Sequence, residues 1–433
     1  MAANALNAGA FCDYVERVIL SDPAFGKTAD DRTKLFDQGG LSIYTTLNLD
    51  LQQTAQAALS QYVPAERPGI NLGGTNVSVE VGTGRIVTMV QNRPYDNTDH
   101  PAVGSTSVNY NTDYAYGGSE GFQTGSSYKM FSLVEWLREG HSLYDTIDAS
   151  QHSFPQSRFH ESPPCADIGG APWQVKNDEG SATSMNVLNA TAESVNTAFA
   201  MMATKLDLCG IKESAQDLLV HGADEAVNPY RANPSAVLGT NYIAPITMAT
   251  AYAGIANHGV ACSPIAIDKI VRSDGKQLSA PTTQCSKTPI DPSVAAGVIY
   301  ALYGPIQHGT ATIANPHDGV PIFGKTGTTD NSYDNWFVSS TSKVAQATWV
   351  GNVQATLRSN GTYTKTPVRS ITLGGAYGGD AKLHVAHNVI VALDKVYGGS
   401  AFDSPSGSAL KKVTPPSTAP PAAPPAAPPA TTP

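Results

Sequence analysis

The run Phe323-Gly324-Lys325-Thr326-Gly327-Thr328-Thr329-Asp330 constrains the fold more than any other stretch, because two chemistries that need different backbone shapes compete for it. Taken with Gly319, residues 319–326 match the phosphate-cradling pattern GxxxxGK[ST], which requires a loop of free backbone N–H groups and a helix starting at the lysine. Taken with Ser126 far upstream, the same Lys-Thr-Gly is the third element of a serine acyl-transfer site. The neighbouring residues favour the second. Val320-Pro321-Ile322-Phe323 contains one residue without an N–H and three strand formers, and Gly327 to Ser332 reads as turn rather than helix. A P-loop NTPase remains only a remote alternative.

A hydroxyl attacks an amide carbonyl only if its proton is removed as it attacks, and an amine of lowered pKa can do this. Ser126 and Lys129 stand three residues apart, so on a helix they share a face. The pattern predicts a helix over 126–139, with Met130, Phe131, Leu133, Val134 and Leu137 as its apolar stripe and Gly140 as its stop. Ser273/Lys276, Ser340/Lys343 and Ser408/Lys411 repeat the spacing in a turn, a loop and a terminal segment, so spacing alone carries little. A Ser-Xaa-Asn element, able to relay protons and hold a substrate amide, adds weight. Ser194-Val195-Asn196 is the preferred candidate and Ser184-Met185-Asn186 the reserve, with a plain N-cap as the ordinary reading of the latter.

The rest of the pattern is α+β. A helix is expected near 13–20, a strand at 41–47, a helix at 50–62 and a hairpin over 75–90. Helices follow at 185–208, 212–219, 246–256 and 292–303, then strands at 322–325, 335–338 and 345–350, and a last helix at 381–397. One sheet thus gathers strands from distant parts of the chain around an all-helical middle. Composition excludes little beyond nucleic acid: 36 acidic against 27 basic residues leave a net charge of -9, with no general attraction to phosphate backbones. The ten histidines show no paired ligand spacing, so no metal or cofactor is expected. Cys12, Cys165, Cys209, Cys262 and Cys285 include no CxxC, and spacing leaves free thiols or two bridges with one leftover equally open. A bridge closing the hairpin between Cys262 and Cys285 would contribute roughly 3 kcal/mol.

SxxK, SxN and KTG in that order resemble the penicillin-binding proteins and serine β-lactamases. Gly309-Thr310-Ala311, the Phe323–Thr329 run with Asp334-Asn335-Trp336-Phe337, and Tyr242 to Ala249 with Ala256-Asn257-His258-Gly259 are similar to the transpeptidase domain of the bifunctional, class A members. Gly39-Gly40-Leu41 with Tyr44-Thr45-Thr46-Leu47 resembles the linker preceding that domain, and the proline-rich end suggests an actinobacterial member. The resemblance implies a β-lactamase/transpeptidase-like fold, an antiparallel sheet flanked by helices with an all-helical subdomain. It divides the chain into a linker or pedestal over 1–72, a transpeptidase domain over 73–400 and a disordered Pro/Ala-rich tail over 401–433.

The resemblance further implies roles. Ser126 would be the acylated nucleophile, Lys129 its base, Ser194 and Asn196 the relay, and Lys325 the source of positive potential. Thr326, Gly327 and Thr328 would hold the substrate, with the N–H groups of Ser126 and Thr328 as oxyanion hole. The implied partners are peptidoglycan stem peptides as donor and acceptor, β-lactams as covalent inhibitors, and possibly cell-wall proteins through the tail. No nucleic acid is implied. The activity would be D,D-transpeptidation on the outer face of a bacterial plasma membrane. A hydrolytic β-lactamase or D,D-carboxypeptidase and an acylated, non-turning sensor are the alternatives. The membrane anchor and glycosyltransferase domain of class A proteins are absent from the chain, so polymerising activity is not expected. Thr124 stands where the family usually has proline, which alters the helix start but removes no reacting group.

Overall fold

In the computed structural model, which describes residues 6–162, 164–165, 168–178, 180–353, 356–357 and 363–411, the hairpin near the start and the strand-forming run near the end meet in one sheet. Its strands are β1 (Leu72–Glu80), β2 (Ile86–Gln91), β3 (Phe323–Thr328), β4 (Asp334–Ser340) and β5 (Val344–Asn352). All pairings are antiparallel, in the order β3-β4-β5-β1-β2. The register sets Lys325 opposite Val338, Trp336 opposite Trp349, and Ala347 opposite Val77. The Lys-Thr-Gly strand is therefore an edge. It also runs further than expected, since residues read as turn from Gly327 onward stay paired through Thr328 opposite Asn335.

Side chains alternate across the sheet, so each face needs its own cover. On one face Val87, Val90 and Val350 pack with helices α1 (Leu49–Tyr62) and α7 (Ala381–Tyr397) through Leu59, Val385 and Val389. The other face, with Val77, Met89, Trp336 and Trp349, is covered by the interior helices. Of these, α5 (Pro245–Ala256) and α6 (Pro292–Gln307) lie on the strands, and α2 (Lys129–Arg138), α3 (Val187–Ala192) and α4 (Asn196–Ala203) extend the same core beyond them. Every residue of α5 is buried, as its unbroken apolar and small-residue composition requires.

Four expectations change. The helix expected over 185–208 is broken: Ser184–Asn186 is a short strand, Asn186 caps α3 by accepting from the Asn189 N–H at 2.8 Å, and Ser194 turns the chain at φ 57° before α4. The middle also holds short antiparallel pairs, such as 146–148 with 184–186, so it is not purely helical. Residues 41–62, assigned to a linker, are built into the globule. The strand Leu41–Thr45 pairs with Ile267–Arg272, and the Gln52 amide exchanges two hydrogen bonds of 2.8 Å with the Met89 backbone. Finally, the first residues of the proline-rich end are ordered against the domain: Phe402 packs on Phe323, and the Ala409 carbonyl accepts from the Leu143 N–H at 2.9 Å. The remainder of that tail, 412–433, lies outside the described residues. Cysteines pair as Cys165–Cys209 and Cys262–Cys285, with Cys12 unpaired and exposed, which is the two-bridge alternative.

Close backbone contact positions the segment before α2. Gly125 adopts φ 53°, and a Cβ there would lie 2.7 Å from the Thr328 nitrogen. A Cβ on Gly327 would lie 2.1 Å from the Thr124 carbonyl oxygen, and one on Gly239 only 2.0 Å from the Gly125 oxygen. Three glycines therefore let this segment, β3 and the loop after Pro234–Leu238 touch main chain to main chain. Gly239 also sits at φ 82°, so Gly239→Ala is expected to destabilise the protein by about 1–3 kcal/mol. A lowered urea midpoint with an unchanged m-value checks this; an unaltered midpoint would contradict the close packing.

Candidate active site

The expected helix over 126–139 begins later than its apolar stripe suggests. Gly125–Tyr128 form a 3-10 turn and α2 proper starts at Lys129, so Ser126 stands on the tighter turn with Lys129 following it. Position within the chain is fixed from two sides. The Gly125 N–H donates to the Gly239 carbonyl at 3.0 Å, and the Trp336 indole N–H of β4 donates to the Gln123 carbonyl at 2.8 Å.

Ser126 is 9% exposed and lines a cleft of about 530 Å³, whereas Lys129 and Lys325 are 0% exposed. The Lys129 ammonium enters the bend between α3 and α4. It donates to the Ser194 carbonyl at 2.7 Å and to Asn196 Oδ1 at 2.7 Å, with Ser194 Oγ at 3.3 Å and the Phe199 ring centroid 5.0 Å away. The left-handed turn at Ser194 is what aims its carbonyl inward. Asn196 is itself held, its amide donating to the Lys176 carbonyl at 2.8 Å. Ser194 and Asn196 thus reach Lys129, while Asn186 caps α3 and Ser184 lies on the short strand before it.

Lys325 is fully buried and does not itself line the cleft. Its ammonium donates to the Thr326 carbonyl at 3.2 Å, and the Thr326 hydroxyl meets that of Thr310 at 2.6 Å. Thr310, Thr326 and Thr328 share the cleft wall with Ser126. Gly327 faces away from it, against the backbone at Thr124. Burial is the main cause that lowers the lysines. It holds Lys129 well below the ordinary lysine range, helped by the charge of Lys325 and opposed by Asp178. Burial and then Lys382 bring Lys325 down to about 7, again opposed by Asp178.

Sequence reasoning missed several groups in this cleft: Asp178, Arg369, Tyr377 and Lys382. Lys382 was legible in principle, because it shares the helical face of Ala386, Val389 and Leu393, all buried. A charged residue on such a stripe needs a polar space to enter. Asp178 and Arg369 lie on loops that carry no periodic signal. A second cavity of about 700 Å³, walled by residues such as Tyr14, Leu219, Val220 and Ile246, contains none of the sequence-predicted residues. Among the described residues, Glu161, Cys165 and Cys209 have the spacing of a metal site, but the two sulfurs are joined in a disulfide and offer no thiolate.

A serine and a desolvated lysine amine on one turn, with a Ser-Val-Asn bend and a Lys-Thr-Gly-Thr edge strand closing round them, can carry acyl transfer. Comparison with known proteins agrees in fold and family. The family model for the penicillin binding protein transpeptidase domain matches residues 74–372. Penicillin-binding protein 1A of Aquifex aeolicus is 30% identical over 283 residues, 65% of this chain and 34% of that protein. Penicillin-binding protein 1A of Mycolicibacterium smegmatis is 28% identical over 331 residues, 73% of this chain and 38% of its relative. The chain therefore spans roughly a third to two-fifths of the length of these relatives. Among solved structures, penicillin-binding protein PonA1 from Mycobacterium tuberculosis superposes with a TM-score of 0.68 at 23% identity, covering 91% of this chain and 95% of that one. The D,D-transpeptidase domain of a peptidoglycan glycosyltransferase from Eggerthella lenta gives 0.59 at 22% identity, covering 89% and 91%. With an antiparallel sheet flanked by helices and a family match over most of its length, the chain belongs to the penicillin-binding protein transpeptidase family.

Proposed function

We propose that the protein is a D,D-transpeptidase that cross-links peptidoglycan stem peptides through an acyl-enzyme on Ser126. The observation that carries this reading is the double anchoring of Lys129. A neutral amine has two N–H groups and one lone pair; with the N–H groups directed at the Ser194 carbonyl and Asn196 Oδ1, the lone pair is left for the Ser126 proton. Ser126 Oγ then attacks the D-Ala-D-Ala amide carbonyl, forming a C–O bond while its proton passes to Lys129. The oxyanion is received by the N–H groups of Ser126 and Thr328, which the Gly125 contact brings together. As the tetrahedral carbon collapses, the C–N bond breaks and the departing amine takes a proton through Ser194. An acceptor amine from a neighbouring stem repeats the sequence in reverse and frees Ser126. Lys325, Thr326 and Thr328 favour the donor carboxylate, and Asn196 holds the donor amide. A β-lactam mimics the donor and stays on Ser126.

Hydrolysis is the second reading, because Asp178 and Glu193 place carboxylates in the same cleft as Ser126, where one could activate water. The reading places the site on the outer face of a bacterial plasma membrane, where peptidoglycan stems are cross-linked. Among the described residues no helix is long and apolar enough to cross a membrane.

Intact mass after incubation with penicillin, followed by peptide mapping, tests the assignment. One lasting adduct on Ser126 is expected, absent from Ser126→Ala; an adduct elsewhere, or none on folded protein, overturns it. Rapid loss of the adduct would select the hydrolytic reading. Asn196→Ala, which removes one anchor of Lys129, is expected to slow acylation by about 100- to 10,000-fold, as measured by stopped-flow acylation, and to lower the thermal midpoint, because a buried N–H of Lys129 is left without its partner. Lys325→Met removes the charge that helps keep Lys129 unprotonated. Lys129 then holds its proton to higher pH, and the acid limb of the acylation profile is expected to move up by on the order of one unit. The shift is partial because burial, the larger cause, remains.

A further inference from the structure

Lys382 is the second residue of α7 and is 5% exposed, yet it lines the same cleft wall as Thr310, Thr326 and Thr328. The turn before it is fixed by glycine: a Cβ on Gly378 would lie 2.1 Å from the Val368 oxygen. That contact clamps the start of α7 to the loop that brings Arg369 to the cleft. Among the described residues, the Lys382 ammonium makes one hydrogen bond, to the Gly379 carbonyl, and no ion pair within 4.0 Å. Two N–H groups of a buried cation are left to face the cleft, a costly arrangement unless an anion meets them.

Lys325 cannot fill that need in the same way. It is fully enclosed, its ammonium lies 3.2 Å from the Thr326 carbonyl and 3.5 Å from the Thr326 hydroxyl, and it reaches the cleft only through that hydroxyl, not being among the residues that wall it. The carboxylates nearest to Lys382, Asp380 and Asp178, act on it as charges without pairing with it. An anion lying along the Thr326 and Thr328 hydroxyls therefore meets two cations that line the cleft, the buried Lys382 deep in it and the exposed Arg369 at its mouth, with Tyr377, 54% exposed, on the rim.

Resting on the transpeptidase reading, we infer that Lys382 is a specificity-determining residue that contacts the terminal carboxylate of the donor directly, while Lys325 acts on it at one remove. The pair would make a free carboxylate, rather than an amide or ester, the requirement at that end of the donor.

The test compares acylation of the whole chain by a penicillin and by its methyl ester, which differ only in that carboxylate. The wild type is expected to prefer the acid. Lys382→Gln is expected to lose about 10- to 100-fold on the acid and less than about twofold on the ester, and Lys382→Arg to restore the preference. Equal losses on acid and ester would show a structural role and overturn the inference, as would no loss on either. Should Lys382→Gln not fold, reductive methylation of the wild type with mass mapping decides: N-acyl-D-alanyl-D-alanine must protect Lys382 and its methyl ester must not, and equal labelling overturns the inference. No adduct from the wild type with either penicillin would instead bring down the transpeptidase reading beneath it, and the inference with it.

Discussion

An alkylamine with no access to water is the constraint on which this architecture turns. Lys129 sits at the start of α2 with an apolar stripe following it, and its buried N–H groups need partners that the helix does not supply. Two carbonyl oxygens 2.7 Å away supply the compensation, and both come from the same bend, some 65 residues along the chain. The bend is strained where it must be: Ser194, a residue with a side chain, holds φ 57° so that its carbonyl points at the lysine. The strain is retained because α3 and α4 are fixed on either side, the first by its Asn186 cap and the second by the Asn177 side chain accepting from the Thr197 N–H at 3.0 Å. Buried amine, broken helix and positive φ are thus one arrangement.

The third wall is brought in by the absence of side chains. The sheet delivers Lys325 and Thr326 on an edge strand, but edges twist and fray unless something holds them. Here Gly327 and Gly125 let the strand and the nucleophile turn approach at a distance no Cβ would allow, and Gly239 closes the turn from behind. The Trp336 indole, one strand inward, ties the same turn to the sheet interior. The position of Ser126 relative to Thr328 is therefore set by backbone on backbone, the least adjustable kind of contact in a protein.

Much of this was legible from residue types. Alternation made the 75–90 hairpin readable, and the strand formers around Phe323 removed the phosphate loop as a fold, since a helix could not begin at a lysine paired opposite Val338. Ser126 and Lys129 were readable because an apolar stripe follows them. The failures have physical causes. Residues 185–208 are rich in Ala, Met and Leu, and local propensity cannot see that a lysine elsewhere needs a carbonyl from their midst. The strand and helix within 41–62 were readable, but not what holds them to the domain, because the Gln52 contacts with Met89 join positions far apart in sequence and leave no periodic trace. The same is true of Phe402 and Ala409, which lie in a composition that predicts no packing.

Lys129, Lys325 and Lys382 form a graded series rather than three separate cations. Each is depressed by burial, and the charge of each outer member lowers the next one inward. Left alone, Lys325 near 7 and Lys382 near 8 would each lose charge around neutrality, weakening the potential that keeps Lys129 unprotonated. A carboxylate arriving at Thr326 and Thr328 would stabilise the protons on both outer lysines, because opposite charge favours the charged form. It would raise Lys129 less, since the fixed cations stand between. Binding of the anion and readiness of the base would then be linked: the ligand secures the two charges that hold the innermost amine neutral. A protein with a net charge of -9 would gain such selectivity from where its few buried lysines stand, not from how many basic residues it has.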